Sequence, residues 1–332
     1  MKLKIEDART LAVEALMGIG IDEKGARVTA DHLVDAAKRG MTFGGLPRIL
    51  AISERLNEYG DRRRPIATVH ETPVSALIDG GDNVGYIVAA HTTQLAIEKA
   101  RQSGIAIVGA NNTYYTGLFA YYVEMATKAG FVSFCIGNGN AMVAPEGAAE
   151  ARLGTNPIAF GFPSQGDPVI WDIGTAAIMQ GELMLHMRVG EEIPEGLALD
   201  KQGLPTRDPV AALAGAIKTW GGHRGSGLSV VVQMLGALCG GPVISPGICE
   251  MAFLIVVIDP KVLMPGGEYP ARVTELADAI RSARPLEGAP PVRMPFDGSA
   301  RIRRESEQNG SVEIPDVVHA SLLKLAGQRK SM

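Results

Sequence analysis

With 332 residues, 32 basic and 36 acidic side chains, a net charge of −4 and no long run of one sign, the chain excludes nucleic acid and an anionic membrane surface as main partners. Cys135, Cys239 and Cys249 lie in or beside apolar sequence without paired spacing, so reduced, buried thiols and a cytoplasmic location are expected. MKLKIEDARTL carries charges throughout, and the longest apolar stretch, Leu228–Ile258, is interrupted by glycines, Pro242 and Pro246, so neither a signal core nor a membrane span is expected.

In chain order, Ile5, Leu11, Ala12, Ala15 and Leu16 keep helical spacing. Asp22 opens a second amphipathic stretch running to Lys38, and a third follows Pro47 and stops at Gly60. From about residue 66, short β-branched runs predict strands at Ala67–Val69, Val74–Ile78, Ile105–Val108, Phe131–Ile136, Val169–Trp171 and Phe253–Ile258. Helices predicted at Tyr86–Arg101, Leu118–Ala129 and Gly227–Leu238 alternate with them, which is a mixed α/β pattern. A further strand (Ile158, Ala159, Phe160, Phe162) leaves the turn Leu153-Gly154-Thr155-Asn156-Pro157. There Gly154 can supply φ > 0, and Thr155 and Asn156 can hydrogen-bond locally. After Pro265, helices are predicted at Pro270–Arg281, Arg301–Gln308 and Asp316–Leu325.

Among the connecting segments, Gly221-Gly222-His223-Arg224-Gly225-Ser226-Gly227 runs into an apolar helix. Its glycines let backbone N–H groups approach an anion, the helix start adds partial positive charge, and Arg224 is a bidentate donor. A phosphate or carboxylate would fit; a flexible loop capped by Ser226 would look the same. Gly137-Asn138-Gly139 follows a strand, but Asn140-Ala141-Met142 supplies no third glycine, so the Rossmann fingerprint is absent. The six histidines are scattered without ligand spacing, so no metal site is expected. His32 and His91 fall within helical patterns and read as ordinary amphipathic-face residues.

The block Ala144–Pro163, APEGAAEARLGTNPIAFGFP, closely resembles a segment of the malate/L-lactate dehydrogenase-like oxidoreductases. That family uses nicotinamide cofactors without a Rossmann fold and includes 2-hydroxyacid dehydrogenases and cyclic imine reductases. The similarity runs from about residue 5 to 327. It implies an α/β (α+β) fold of the sulfolactate dehydrogenase-like kind and a homodimer. The implied division is a helical lobe, residues 1–65 plus about 265–332, and a cofactor-binding α/β lobe at about 66–264. The implied cofactor is NAD or NADP, met by Thr116 and Gly117, by Ile173, Gly174 and Thr175, by His223 and Arg224, and by Gly298, Ser299 and Arg301. Thr155 and Arg48 are implied to touch a small carboxylate substrate, with Arg48 gripping the carboxylate, and Glu182 to help orient the acid/base group.

Two departures from the family pattern bear on the chemistry. Where members carry Asp-Ser-His-Gly, with the histidine as proton donor, this chain reads Thr42-Phe43-Gly44-Gly45. Phe43 and Gly44 therefore border the substrate in place of serine and histidine. A second active-site histidine is replaced by Tyr115, which can donate a proton but is a poor base near its usual pKa of about 10. General acid catalysis contributes about 10²–10⁴-fold, or roughly 3–5 kcal/mol. Reduction of a ketone needs that proton, whereas reduction of a protonated imine yields a neutral amine without it. The expectation is a hydride exchange that favours a cyclic 2-imino acid over a 2-oxo or 2-hydroxy acid. The alternative is a dinucleotide-binding member with lost or altered catalysis, acting as a binding or regulatory subunit.

Overall fold

The computed structural model describes residues 1–328. A short strand β1 (Lys2–Lys4) leads into α1 (Ile5–Gly18), α2 (Glu23–Lys38) and α3 (Arg48–Tyr59). These helices form where the apolar spacing predicts them. Asp22 caps α2 by accepting the Gly25 N–H at 2.6 Å, and Gly60, at φ 75°, ends α3. Their apolar stripes (Leu11, Leu16, Leu33, Ile49, Ile52) share one core with residues 312–326 of the far end of the chain.

The chain then builds a sheet from β2 (Ala67–Glu71), β3 (Ser75–Val84), α4 (Gly85–Ser103), β4 (Ile105–Tyr114), α5 (Phe119–Lys128), β5 (Val132–Gly137), β6 (Ile158–Phe162) and β7 (Val169–Ile173). Beyond it follow α6 (Gln180–Val189), a small sheet of β8 (Ala198–Leu199), β9 (Pro205–Thr206) and β10 (Ala216–Ile217), and α7 (Pro209–Ala214). The helix α8 (His223–Ala237) precedes β11 (Met251–Ile258), and the chain ends in α9 (Tyr269–Arg281), α10 (Asp297–Asn309), β12 (Ser311–Glu313) and α11 (Asp316–Gln328).

The main sheet has seven strands in the order β2-β3-β4-β11-β5-β6-β7, and only β3 and β4 run parallel, joined by the crossover helix α4. β11 enters at the centre and pairs antiparallel with β4 and β5. Its run MAFLIVVI is apolar throughout because both faces are covered. Phe253, Ile255 and Val257 pack with residues of α4 and α5, while Ala252, Leu254 and Val256 pack with Val232 of α8. The observed mixed α/β sheet without a Rossmann order is the expected fold class.

The structure corrects some local expectations. α8 begins at His223, four residues before the predicted start, so His223 and Arg224 occupy its first turn rather than a free loop. Ser226 does not cap this helix; its hydroxyl accepts the Glu146 N–H at 3.1 Å. Gly154 does not supply the positive φ of its turn, which belongs to Asn156 at 38°. Glycine is required at 154 because a Cβ there would lie 2.7 Å from the Gly139 nitrogen. The Asn156 amide is not a local partner either: it donates to the Ser229 carbonyl at 2.9 Å and the Gln233 Oε1 at 2.8 Å, both on α8.

Candidate active site

A pocket of about 230 Å³ opens where α3, the segment before it, and the C-terminal ends of several strands converge. One wall comes from the 3₁₀ turn Thr42–Gly44 and the start of α3. Arg48 is nearly buried there, with 9% of its surface exposed. Its guanidinium stacks 4.1 Å from the ring centre of Tyr115 and lies 3.9 Å from the Met184 sulfur. Among the described residues it forms no ion pair with a carboxylate, so the pocket holds a desolvated cation that an anion can satisfy. Gly181, at the start of α6, permits this arrangement, because a Cβ there would come within 3.1 Å of the Arg48 Nη1 and 3.4 Å of the Phe43 ring. Gly44 is not forced in the same way, since a Cβ would meet only Met41 and Ala36, at 3.7 and 3.9 Å.

The opposite wall is the segment Tyr115-Thr116-Gly117-Leu118 between β4 and α5. Tyr115 is buried with φ 54°, a left-handed conformation that is costly for an aromatic residue and often found at functional sites. Burial raises its hydroxyl pKa above the usual tyrosine value, with Arg48 opposing, so the phenol stays protonated at neutral pH. The Thr116 carbonyl accepts the Tyr122 hydroxyl at 2.6 Å. Gly117, at φ 76°, packs so tightly that a Cβ would lie 2.3 Å from the Tyr86 ring and 2.6 Å from His32 Nε2. That His32 nitrogen accepts the Leu118 N–H at 2.8 Å, which anchors the whole segment.

The floor is made of Gly137-Asn138-Gly139 after β5, Thr155 and Pro157 before β6, and Asp172 and Gly174 at the end of β7. The Thr155 carbonyl accepts both the backbone N–H and the hydroxyl of Thr175, at 3.1 Å each. Thr175 is thus a fully buried strut behind the pocket rather than a lining residue. Asp172 accepts the N–H of Ala120, in the first turn of α5, at 2.7 Å. Burial pushes its carboxyl pKa up to about 6, against the pull of the Ala120 and Phe119 N–H groups.

Of the residues singled out from the sequence, Phe43, Gly44, Arg48, Tyr115, Thr116, Gly117, Thr155 and Gly174 line this one pocket. Ile173, Thr175 and Glu182 lie behind or beside it, with Glu182 in the first turn of α6. His223 and Arg224 are exposed at the start of α8, outside the pocket wall. Gly298, Ser299 and Arg301 lie on α10, and Arg301 borders a separate polar cavity with Arg281 and Arg304, where it pairs with Glu305 at 2.6 Å. Sequence reasoning passed over Tyr86 and the Asn138-Gly139 floor, and it misread His32 as an amphipathic-face residue although it is buried. The Gly137-Asn138-Gly139 run after a strand was the available signal, set aside because the Rossmann pattern was incomplete. No group of three or more His, Cys, Asp or Glu among the described residues could hold a metal ion.

Comparison with known proteins places this architecture. The family model for malate/L-lactate dehydrogenase matches residues 3–323. The L-sulfolactate dehydrogenase of Methanocaldococcus jannaschii is 32% identical, over 99% of this chain and 97% of its own length. The Δ1-pyrroline-2-carboxylate/Δ1-piperideine-2-carboxylate reductase of Pseudomonas aeruginosa is also 32% identical, over 98% of this chain and 99% of its own. The solved structure of the M. jannaschii sulfolactate dehydrogenase superposes with a TM-score of 0.85 at 32% identity, covering 99% of this chain and 97% of that one. The Δ1-piperideine-2-carboxylate reductase of Pseudomonas syringae gives a TM-score of 0.84 at 28% identity, covering 98% and 99%. The chain is therefore an oxidoreductase and belongs to the malate/L-lactate dehydrogenase family.

Proposed function

We propose that this protein exchanges hydride between NAD(P)H and a small acid bearing a 2-oxo, 2-hydroxy or cyclic 2-imino group, with the imino acid preferred. The observation that carries this reading is Arg48, a nearly buried cation on the pocket wall without a carboxylate partner and aligned by Tyr115. The relatives named for sulfolactate and for pyrroline-2-carboxylate both act on small acids that present an anionic group beside the reacting carbon.

The pocket suits a flat amide-bearing ring. Gly117, Gly137, Gly139 and Gly174 line it without side chains, and a Cβ on Gly139 would have no neighbour nearer than 3.9 Å. Thr116, Gly117, Asn138 and Gly174 would hold the nicotinamide, and the exposed start of α8 with His223 and Arg224 would meet the phosphates. When bound, the nicotinamide supplies or accepts the hydride. Arg48 orients the substrate through its carboxylate, and Thr155 borders the same space. The protonated Tyr115 phenol is the donor available to an oxo substrate, and a protonated imine does not require it. The N-terminal helices with the C-terminal segments are read as one lobe, and residues of about 66–264 as the cofactor lobe.

We also propose a homodimer. Val231 and Met234 of α8 and Leu238 just after it are exposed. Beside its end, Gly109 of β4 packs on Cys239, and Ile105 and Ile107 of the same strand face are also exposed. An apolar face of this kind suits a second copy of the chain.

Steady-state kinetics with pyruvate, oxaloacetate and Δ1-pyrroline-2-carboxylate test the assignment. Imine reduction is expected to dominate, and Arg48→Ala to lower kcat/KM by about 100-fold or more. Fast keto-acid reduction with no imine activity would overturn the preference. Tight NADH binding without turnover on any of these acids would favour a regulatory subunit instead.

A further inference from the structure

The charged groups on the pocket wall are few. Among the described lining residues Arg48 is the one cation and Asp172 the one acid, and Asp172 already accepts the N–H of Ala120. Tyr86, the second residue of α4, also lines the pocket and is 1% exposed, yet among the described residues its hydroxyl makes no well-formed hydrogen bond and has only the nearby Arg48 guanidinium acting on it. A buried phenol without a well-formed hydrogen bond is destabilising unless something entering the pocket satisfies it. Its ring cannot turn away. His32 meets it edge-on at 4.8 Å between ring centres, and Gly117 packs where any side chain would collide. The Arg48 guanidinium is close enough to oppose the upward pull of burial on the Tyr86 pKa, so the two donors serve one region of the pocket. The rest of the wall is uncharged: Thr116, Asn138, Asn140, Thr155 and Gln180 add neutral polar groups, and Met41, Met142, Met179 and Met251 with Phe43 and Leu118 give an adaptable apolar part.

We infer that Tyr86 and Arg48 hold a single substrate carboxylate between them, and that the site selects monocarboxylates with an apolar remainder over acids bearing a second anionic group. This rests on the reading of the pocket as the acid-binding site of an oxidoreductase. A second carboxylate or sulfonate would be stripped of water against thioethers with no second cation to pair it, which opposes binding. An aliphatic or cyclic remainder would instead fill the methionine-lined space.

The test compares wild-type protein with Tyr86→Phe, using oxaloacetate, 2-oxo-4-methylpentanoate and Δ1-piperideine-2-carboxylate as probes and NADH affinity as a control. In the wild type, kcat/KM for at least one monocarboxylate should exceed that for oxaloacetate by about 100-fold. Tyr86→Phe should raise the monocarboxylate KM about tenfold while leaving kcat within about twofold and NADH affinity unchanged. Oxaloacetate used as well as the apolar acids would overturn the selectivity. An unmoved KM, or a loss of kcat and NADH affinity together, would overturn the clamp and make Tyr86 a packing residue. Failure of the underlying reading is distinguishable: neither NADH nor any of the acids would then bind, and the inference would fall with it.

Discussion

Gly117 and His32 show how single residues hold the pocket in shape. Gly117 brings the backbone within reach of the His32 Nε2, which then accepts the Leu118 N–H. Because Nε2 is the acceptor, the ring proton sits on Nδ1, which is buried without a hydrogen-bond partner among the described residues. Protonating Nε2 would break the anchor, and burial accordingly drives the His32 pKa down to about 3. In the unfolded chain the group titrates near 6.5, so its contribution is complete above that pH and is lost as pH falls toward 3. Asp172 acts in the opposite sense: its folded value of about 6 lies above the unfolded 3.8, so its contribution is lost as pH rises through that window. The histidine effect, up to about 5 kcal/mol against about 3 kcal/mol for the aspartate, wins. Between pH 7 and 5, wild-type protein should lose about 2 kcal/mol of stability through His32 that His32→Gln does not lose. Thermal melts at the two pH values check this, and parallel losses in both proteins would refute it.

At the scale of elements, α2, α5 and α10 are joined by a network of charges. Arg39 is 1% exposed and pairs with Asp35 at 2.6 Å and with Glu124 of α5 at 2.7 Å. Arg303 of α10 pairs with the same Glu124 at 3.0 Å, and Arg39 stacks 4.7 Å over Phe296 just before that helix. Glu124 is thus a shared acceptor for cations from two other segments, in the middle of the helix that follows the Tyr115–Leu118 wall. Removing it leaves Arg39 buried with half its partners gone, and breaking such a pair costs about 3–5 kcal/mol. Glu124→Ala should therefore lower stability by about 3 kcal/mol or more in chemical denaturation. Arg303→Ala should cost clearly less, since that side chain is 23% exposed. Equal, sub-kcal losses for both variants would show that the network is not a brace.

For the whole molecule, the sheet face beside α8 and the outer face of that helix leave apolar side chains in water. Met234 and Leu238 are each 68% exposed, more than a monomer gains from, and Ile105 and Ile107 of β4 are exposed as well. If a second copy covers this face, wild-type protein sediments as a dimer at micromolar concentration, and Met234→Glu combined with Leu238→Lys sediments as a folded monomer. A monomeric wild type would rule the arrangement out. Among the described residues no helix is long and apolar enough to cross a membrane.

Much of this was legible from local pattern. Helical spacing placed α1, α2 and α3 nearly to the residue, and β-branched runs placed the cores of six sheet strands, because both report which face of an element is buried. The altered positions Phe43, Gly44 and Tyr115 and the pocket cation Arg48 were readable as residue types in recognisable segments. Periodicity does not report which buried faces meet. β1 and β12 are three residues each and pair across some 300 positions, and β11 enters the middle of the sheet from late in the chain. The Arg48 stack on Tyr115, the Tyr86 hydroxyl beside Arg48 and the His32 anchor join residues from separate helices and strands. Such contacts exist only once long-range packing has brought those elements together, and it is they that give the pocket its charge, its strain and its shape.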